Sequence, residues 1–187
     1  MNIEFQPTED KDLCLFLEET KAVFSIAIIE QFGKPENGEV VFGDEIDHIL
    51  HNPKTVAYFI YLDGKKIGGV ALGIDNETHC NSLDLLYIYP DCHGKGLGFR
   101  IWKMIEKMYP QTEVWEVATP YFEKRNISFY VNKCGFHIVE FFNKYHEAPD
   151  SREGQAEHEK EFFRFEKRMN PCRVSMPDDI STSSGKN

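Results

Sequence analysis

The stretch Leu85-Leu86-Tyr87-Ile88-Tyr89-Pro90 and its continuation Asp91-Cys92-His93-Gly94-Lys95-Gly96-Leu97-Gly98-Phe99-Arg100 constrain the fold more than any other part of the chain. The first part is rich in strand-forming apolar residues and stops at a proline, which predicts a strand over Ser82–Tyr89. After the glycines, Leu97, Ile101, Ile105 and Met108 recur at helical spacing and predict a helix over Gly96–Met108. A strand that passes through a glycine-rich turn into a helix calls for a sheet covered by helices. Gly94, Gly96 and Gly98 let backbone N–H groups converge without interference from Cβ atoms. The helix start adds unpaired donors and a partial positive charge, and together they suit a pyrophosphate. A plain strand–helix connection would use the same glycines.

Two familiar phosphate-binding patterns do not fit. G-x-G-x-x-G is not matched, because these glycines are spaced by two throughout and the turn follows several strands rather than the first. The P-loop pattern G-x-x-x-x-G-K-[ST] is absent as well.

The rest of the chain arranges itself around this turn. Met1–Gln6 reads as a first strand and Thr8–Phe32 as a helix, with Thr8, Glu9 and Asp10 at its start. A short second helix follows Gly43 and ends before Pro53. Thr55–Leu62 and Lys66–Ile74 read as strands joined by the hairpin signature Asp63-Gly64. Beyond Met108 come a strand over Thr112–Ala118, a helix over Asn126–Lys133, and strands over Gly135–Phe142 and Glu161–Lys167. Glu147–Lys160 is expected to be a mobile acidic connection, and Asn170–Asn187 a disordered polar tail beyond a single domain of residues 1–169.

Charge and cysteines narrow the function. The net charge of −10 disfavours nucleic acid and anionic membranes as partners, since both need clustered Lys/Arg. Residues 1–50 hold 12 Asp/Glu against 3 Lys/Arg, so most of the acid lies in the first quarter. The five cysteines Cys14, Cys80, Cys92, Cys134 and Cys172 form no C-x-x-C pair, which suggests neither a disulfide framework nor a zinc site. His79-Cys80 and Cys92-His93 lack further ligands at metal spacing, so no metal is expected. Val56–Leu62, the longest apolar run, falls well short of the roughly 18 residues of a membrane span. The acidic opening Met1–Pro7 does not resemble a signal peptide, and a cytoplasmic protein is expected.

With Ile88-Tyr89-Pro90 and His93-Gly94-Lys95-Gly96-Leu97-Gly98, the turn resembles motif A of the GNAT superfamily of acyl-CoA-dependent N-acyltransferases. Asn126-Ile127-Ser128-Phe129-Tyr130-Val131-Asn132-Lys133-Cys134-Gly135-Phe136 is similar to the second signature of that superfamily. The likeness covers about residues 1–168. It implies a mixed, mostly antiparallel α/β sheet of about seven strands flanked by about four helices. It also implies acetyl-CoA as co-substrate and a primary amine, a small molecule, as acceptor, in a monomer or homodimer. Backbone groups of Tyr87 and Ile88 would pair with the pantetheine arm where strands splay. Amides of His93, Gly94, Lys95, Gly96, Leu97, Gly98 and Phe99 would hold the pyrophosphate. Tyr130 would protonate the leaving thiolate, as a phenol of pKa about 10 can.

This chain departs from the superfamily pattern in two places. His93 stands where Gln or Arg is usual, and Glu123 stands seven residues before the tyrosine, where Asn is common. Asn126 is either a CoA contact or a helix N-cap. The base that must neutralise the amine is open. Glu116 on the strand after motif A comes first and Asp84 second, with His48, His51 and His79 able to act through water. A non-catalytic acyl-CoA-binding sensor would share the glycine turn and need neither base nor tyrosine. The acidic first quarter would favour a cationic acceptor or serve solubility alone.

Overall fold

The computed structural model describes residues 2–36, 38, 40, 42, 44–94, 96–149 and 160–169. Lys95, Cys172, most of the acidic 147–160 connection and the 170–187 tail lie outside the described residues.

Strand β1 (Ile3–Pro7) leads through a 3-10 turn at Asp10–Asp12 into helix α1 (Leu13–Phe32). The helix starts later than its polar signal because the Thr8 amide and hydroxyl both donate to the Ala57 carbonyl, extending the sheet contact. Glu9 and Asp12 instead form the reciprocal capping box. Helix α2 (Glu45–Leu50) buries Ile46 and Leu50, and the hairpin β2 (Thr55–Leu62) and β3 (Lys65–Gly73) turns at Asp63-Gly64 as expected. Then follow β4 (Cys80–Ile88), α3 (Leu97–Met108), β5 (Val114–Pro120), α4 (Lys124–Phe129), β6 (His137–Phe142) and β7 (Phe162–Arg168).

The seven strands form one open sheet in the order β1-β2-β3-β4-β5-β7-β6, antiparallel except for β4 against β5. Each face has its own core. On one, Ile101, Trp102 and Ile105 of α3 pack with Leu72, Leu83, Trp115, Phe136 and Phe165; the Trp102 and Trp115 rings meet edge-on at 5.3 Å. On the other, Phe16 of α1 lies against Phe59 and Tyr87 at ring separations of 5.7 and 5.3 Å. No helix among the described residues is long and apolar enough to cross a membrane.

Two features of the sheet position the site. β4 pairs with β5 only over Cys80–Leu83, while β3 continues alongside β4 to Ile88. The strands therefore part beyond Leu83, leaving a gap. The register between β3 and β4 also shifts at Ala71/Leu72, with Asp84 as the extra residue, so Leu83 faces the α3 side and Leu85 the α1 side. A bulge beside a gap redirects side chains without ending the strand.

Gly68 and Gly69 are required by this close packing. A Cβ on Gly68 would lie 2.1 Å from the Tyr87 carbonyl oxygen, and one on Gly69 would lie 2.6 Å from the rings of Phe16 and Tyr87. Backbone cannot yield as a flexible side chain can. Gly68→Ala is expected to cost about 1–3 kcal/mol, read as a lower urea midpoint at unchanged slope. An unshifted midpoint would show that β3 and β4 separate freely.

Candidate functional site

The parting of β4 and β5 opens a cleft of about 960 Å³, walled by α1, the end of β4, the glycine turn, the start of α3 and α4. This is about the upper size expected of a small-molecule site. Both motifs recognised in the sequence reach it. Leu86, Tyr87, Ile88, His93, Gly94, Gly96, Leu97, Gly98, Phe99, Asn126 and Tyr130 all line the cleft.

Local conformation explains the glycines one by one. Gly94 and Gly96 have φ of 96° and 69°, in the left-handed region that L side chains avoid, with open space around them. Gly96 caps α3, and the first turn of that helix borders the cleft. Gly98 is different: a Cβ there would make an ordinary contact with the Phe129 ring at 3.4 Å, where α3 passes α4.

β4 shows which backbone groups face the gap. Tyr89 donates its amide to the Ile67 carbonyl, and the Tyr87 carbonyl is turned toward Gly68. Alternation along an antiparallel strand then points Leu86 and Ile88 the other way, into the gap. The Tyr87 backbone is thus engaged with β3, while Leu86 and Ile88 face the gap. The Tyr87 hydroxyl donates to Glu19 Oε2 at 2.9 Å, and Glu19 also pairs with Lys66, so this tyrosine anchors α1 to the sheet. Burial, followed by the Glu19 contact, pushes the Tyr87 phenol well above its ordinary pKa.

His93 stands at the mouth of the turn with both ring nitrogens engaged. Nε2 lies 2.8 Å from the Ile88 carbonyl oxygen, and Nδ1 lies 3.1 Å from an Arg125 guanidinium nitrogen. A guanidinium can only donate, so Nδ1 accepts and the proton belongs on Nε2, which donates to Ile88. His93 therefore links the gap-facing edge of β4 to α4, and Arg125 is brought to the glycine turn. Sequence alone does not reveal this role for Arg125, since no spacing relates it to the glycines.

Tyr130 begins a single π-helical turn, Tyr130–Cys134, where the continuous helix expected over Asn126–Lys133 departs from α geometry. The turn closes through the Phe136 amide on the Tyr130 carbonyl, with Gly135 at φ 78°. The tyrosine is only 7% exposed, held among Phe129, Phe136 and Phe165 at ring separations of 5.3, 5.7 and 5.9 Å. Its hydroxyl makes no hydrogen bond among the described residues, and the side chain borders the cleft. Burial, then the neighbouring Cys134 and Glu123, raise its pKa far above 10, so the phenol stays protonated.

The carboxylates separate sharply. Glu116 is absent from the cleft wall: it sits on the face of β5 opposite Trp115, paired with Arg164 at 3.0 Å, which also binds Glu140 and Glu166. Strand alternation decides this, because Trp115 and Val117 take the buried face toward α3. Asp84 is raised by burial and neighbours Ser82, but it too is not part of the cleft wall. Glu123 and Glu30 do line the cleft. Glu123 also takes the N-cap position of α4, one of the two roles open to Asn126, yet its side chain makes no capping hydrogen bond. Among the described residues no group of three or more His, Cys, Asp and Glu could hold a metal ion.

Comparison with known proteins gives a consistent result. The model of a family described as the acetyltransferase (GNAT) family matches residues 21–136. YrkN of Bacillus subtilis (strain 168), itself uncharacterized, is 45% identical over 167 residues, 86% of this chain and 90% of that protein. Among solved structures, an acetyltransferase from Thermus thermophilus superposes with a TM-score of 0.62 at 16% identity, over 90% of this chain and 98% of its own. The PaiA N-acetyltransferase of Thermoplasma acidophilum, in complex with coenzyme A, gives 0.57 at 18% identity, over 90% and 100%. The spermidine N-acetyltransferase of Vibrio cholerae, in complex with CoA and spermine, gives 0.61 at 12% identity, over 89% and 95%. At such low identities the solved structures are alike in fold alone.

Proposed function

This chain belongs to the GNAT family of acetyltransferases, and from that premise we propose that it moves an acetyl group from acetyl-CoA to the primary amine of a small molecule by direct transfer in a ternary complex. The observation that carries the reading is one cleft joining the glycine turn to Tyr130, whose hydroxyl makes no hydrogen bond among the described residues.

In this reading the pantetheine arm pairs with the gap-facing backbone of Leu86 and Ile88. The amides from His93 to Phe99 and the start of α3 hold the pyrophosphate. Arg125 keeps further guanidinium donors for phosphate oxygens after its bond to His93. Asn126 lines the same wall and is available to the co-substrate. The amine nitrogen attacks the thioester carbonyl carbon, and a tetrahedral centre forms. When the C–S bond breaks, the Tyr130 hydroxyl gives its proton to the sulfur, and the attacking nitrogen returns a proton to the phenolate. A phenol that resists ionisation suits this task, since it is still protonated when the thiolate leaves.

Calorimetric titration with CoA tests the cofactor side. Wild-type protein is expected to bind with a dissociation constant between about 1 μM and 1 mM, the usual range for enzyme substrates. Arg125→Ala is expected to weaken binding about tenfold, by removing a charge-assisted contact to phosphate. No detectable heat with wild-type protein would contradict the reading.

A further inference from the structure

Resting on this acetyl-transfer reading, we propose that Glu123 is the general base and that Glu30 holds the incoming acceptor as an alkylammonium, so that the acceptor class is primary amines protonated at neutral pH. The two residues come from distant parts of the chain, and the fold brings them together. Phe32, two residues after Glu30 near the end of α1, packs edge-on against Phe122, next to Glu123, with ring centroids 5.1 Å apart. That contact docks the end of α1 beside the start of α4 and turns both carboxylates to the same cleft.

Glu123 meets the requirements of a base. Its carboxylate has no hydrogen-bond partner among the described residues, so its lone pairs are available. It faces three other titratable or charged groups: Glu30 from α1, Arg125 from α4 and Tyr130 from the π turn. Burial raises its carboxyl, the Arg125 charge opposes, and the Glu30 charge adds to the rise. A carboxylate lifted in this way is a better proton acceptor near neutral pH. Tyr130 and Glu123 line the same cleft, and the Glu123 charge adds to the rise of the Tyr130 phenol.

The proton count closes. An alkylammonium brings three protons on nitrogen. One passes to Glu123 and on to water, freeing the lone pair for attack on the acetyl carbon. One remains on the amide product. The third leaves the nitrogen after attack and restores Tyr130, which has protonated the departing sulfur. The net products are N-acetylated amine, free CoA thiol and one proton.

The test uses phenethylamine and spermidine as acceptors, with Glu123→Gln, Glu123→Asp and Glu30→Gln in the full chain. Glu123→Gln is expected to lower kcat/KM about 10²-fold at pH 7 with CoA affinity unchanged by calorimetry. The deficit should narrow as pH rises toward 10, where solution deprotonates the amine and Tyr130 is still protonated. Glu123→Asp should recover part of the rate and the wild-type pH profile. Glu30→Gln should raise the KM of both amines about two- to fivefold with little change in kcat, and remove most of its salt dependence. A deficit of equal size at every pH, or wild-type rates in Glu123→Gln, would overturn the assignment of the base while leaving acetyl transfer intact. An unchanged KM in Glu30→Gln would overturn the ammonium site. If wild-type protein acetylated neither amine, nor any other primary amine, the acetyl-transfer reading itself would fail and this one with it.

Discussion

Tyr130→Phe is expected to lower kcat about 10³-fold while leaving CoA affinity within about twofold. The substitution is unusually clean. The aromatic ring that fills the space between Phe129, Phe136 and Phe165 remains, and only a hydroxyl without a hydrogen-bond partner among the described residues is removed. No buried donor or acceptor is orphaned, so stability should change little. Loss of the proton donor would instead fall on departure of the thiolate, and therefore on turnover rather than on binding. Steady-state kinetics and calorimetry on the same preparations separate the two. A protein that merely binds acyl-CoA would show no change in either quantity, and unchanged turnover would remove Tyr130 from the chemistry.

The second large effect concerns the scaffold behind that tyrosine. Glu106 of α3 is 6% exposed and bridges Lys103 and Lys167, while the Lys167 ammonium also donates to the carbonyl of Cys134, at the end of the π turn. One buried carboxylate thereby ties α3, β7 and the turn carrying Tyr130 together. Glu106→Ala would leave Lys167 without its anionic partner beneath the turn. Removing one member of such a buried pair costs about 3–5 kcal/mol. For a domain of this size that corresponds to a fall in Tm of about 10 °C.

The pH dependence of the same network follows from Glu106. Burial alone would raise its carboxyl, but hydrogen bonds and charge from Lys103 and Lys167 outweigh burial and hold it below the ordinary value. A group depressed in the folded state contributes stability above its unfolded pKa of about 4.3 and loses it as pH falls through the folded value. The gap in Tm between wild type and Glu106→Ala should therefore be constant from neutral pH down to about 5. It should then shrink under stronger acid as the wild-type carboxylate protonates. A gap that persisted unchanged in acid would mean that the loss comes from packing rather than charge.

The sequence carried the backbone of this site better than its side-chain chemistry. The glycine turn and the Tyr130 segment, which line one cleft, are legible because each belongs to a local pattern: glycines spaced by two after a strand ending at Pro90, and a tyrosine just ahead of Gly135-Phe136. The seven-stranded sheet with its four helices was legible for the same reason, through periodicity and turn residues. Glu123, Glu30 and Arg125 were not, because their place in the cleft depends on tertiary contacts. The Phe32–Phe122 contact and the His93 link each join residues far apart in sequence.

Glu116 shows the limit from the other side. Its strand is legible in the sequence, yet alternation against Trp115 turns its carboxylate to Arg164 rather than to the cleft. Nor did the strand pattern reveal that Tyr87 hydrogen-bonds along β3, leaving Leu86 and Ile88 to face the gap. The acid excess of the first quarter was plain in composition. Only the docking of α1 singles out Glu30 as a residue that brings some of that charge into the cleft.

The most direct test mixes purified protein, acetyl-CoA and a panel of primary amines, and counts free thiol and N-acetylated amine in the same samples. Thiol and acetylated amine should form in equal amounts, only when both substrates are present and without a covalent acetyl-protein detectable by intact mass. Thiol release without acetylated amine, or an acetyl group held on the protein when amine is withheld, would contradict direct transfer in this cleft.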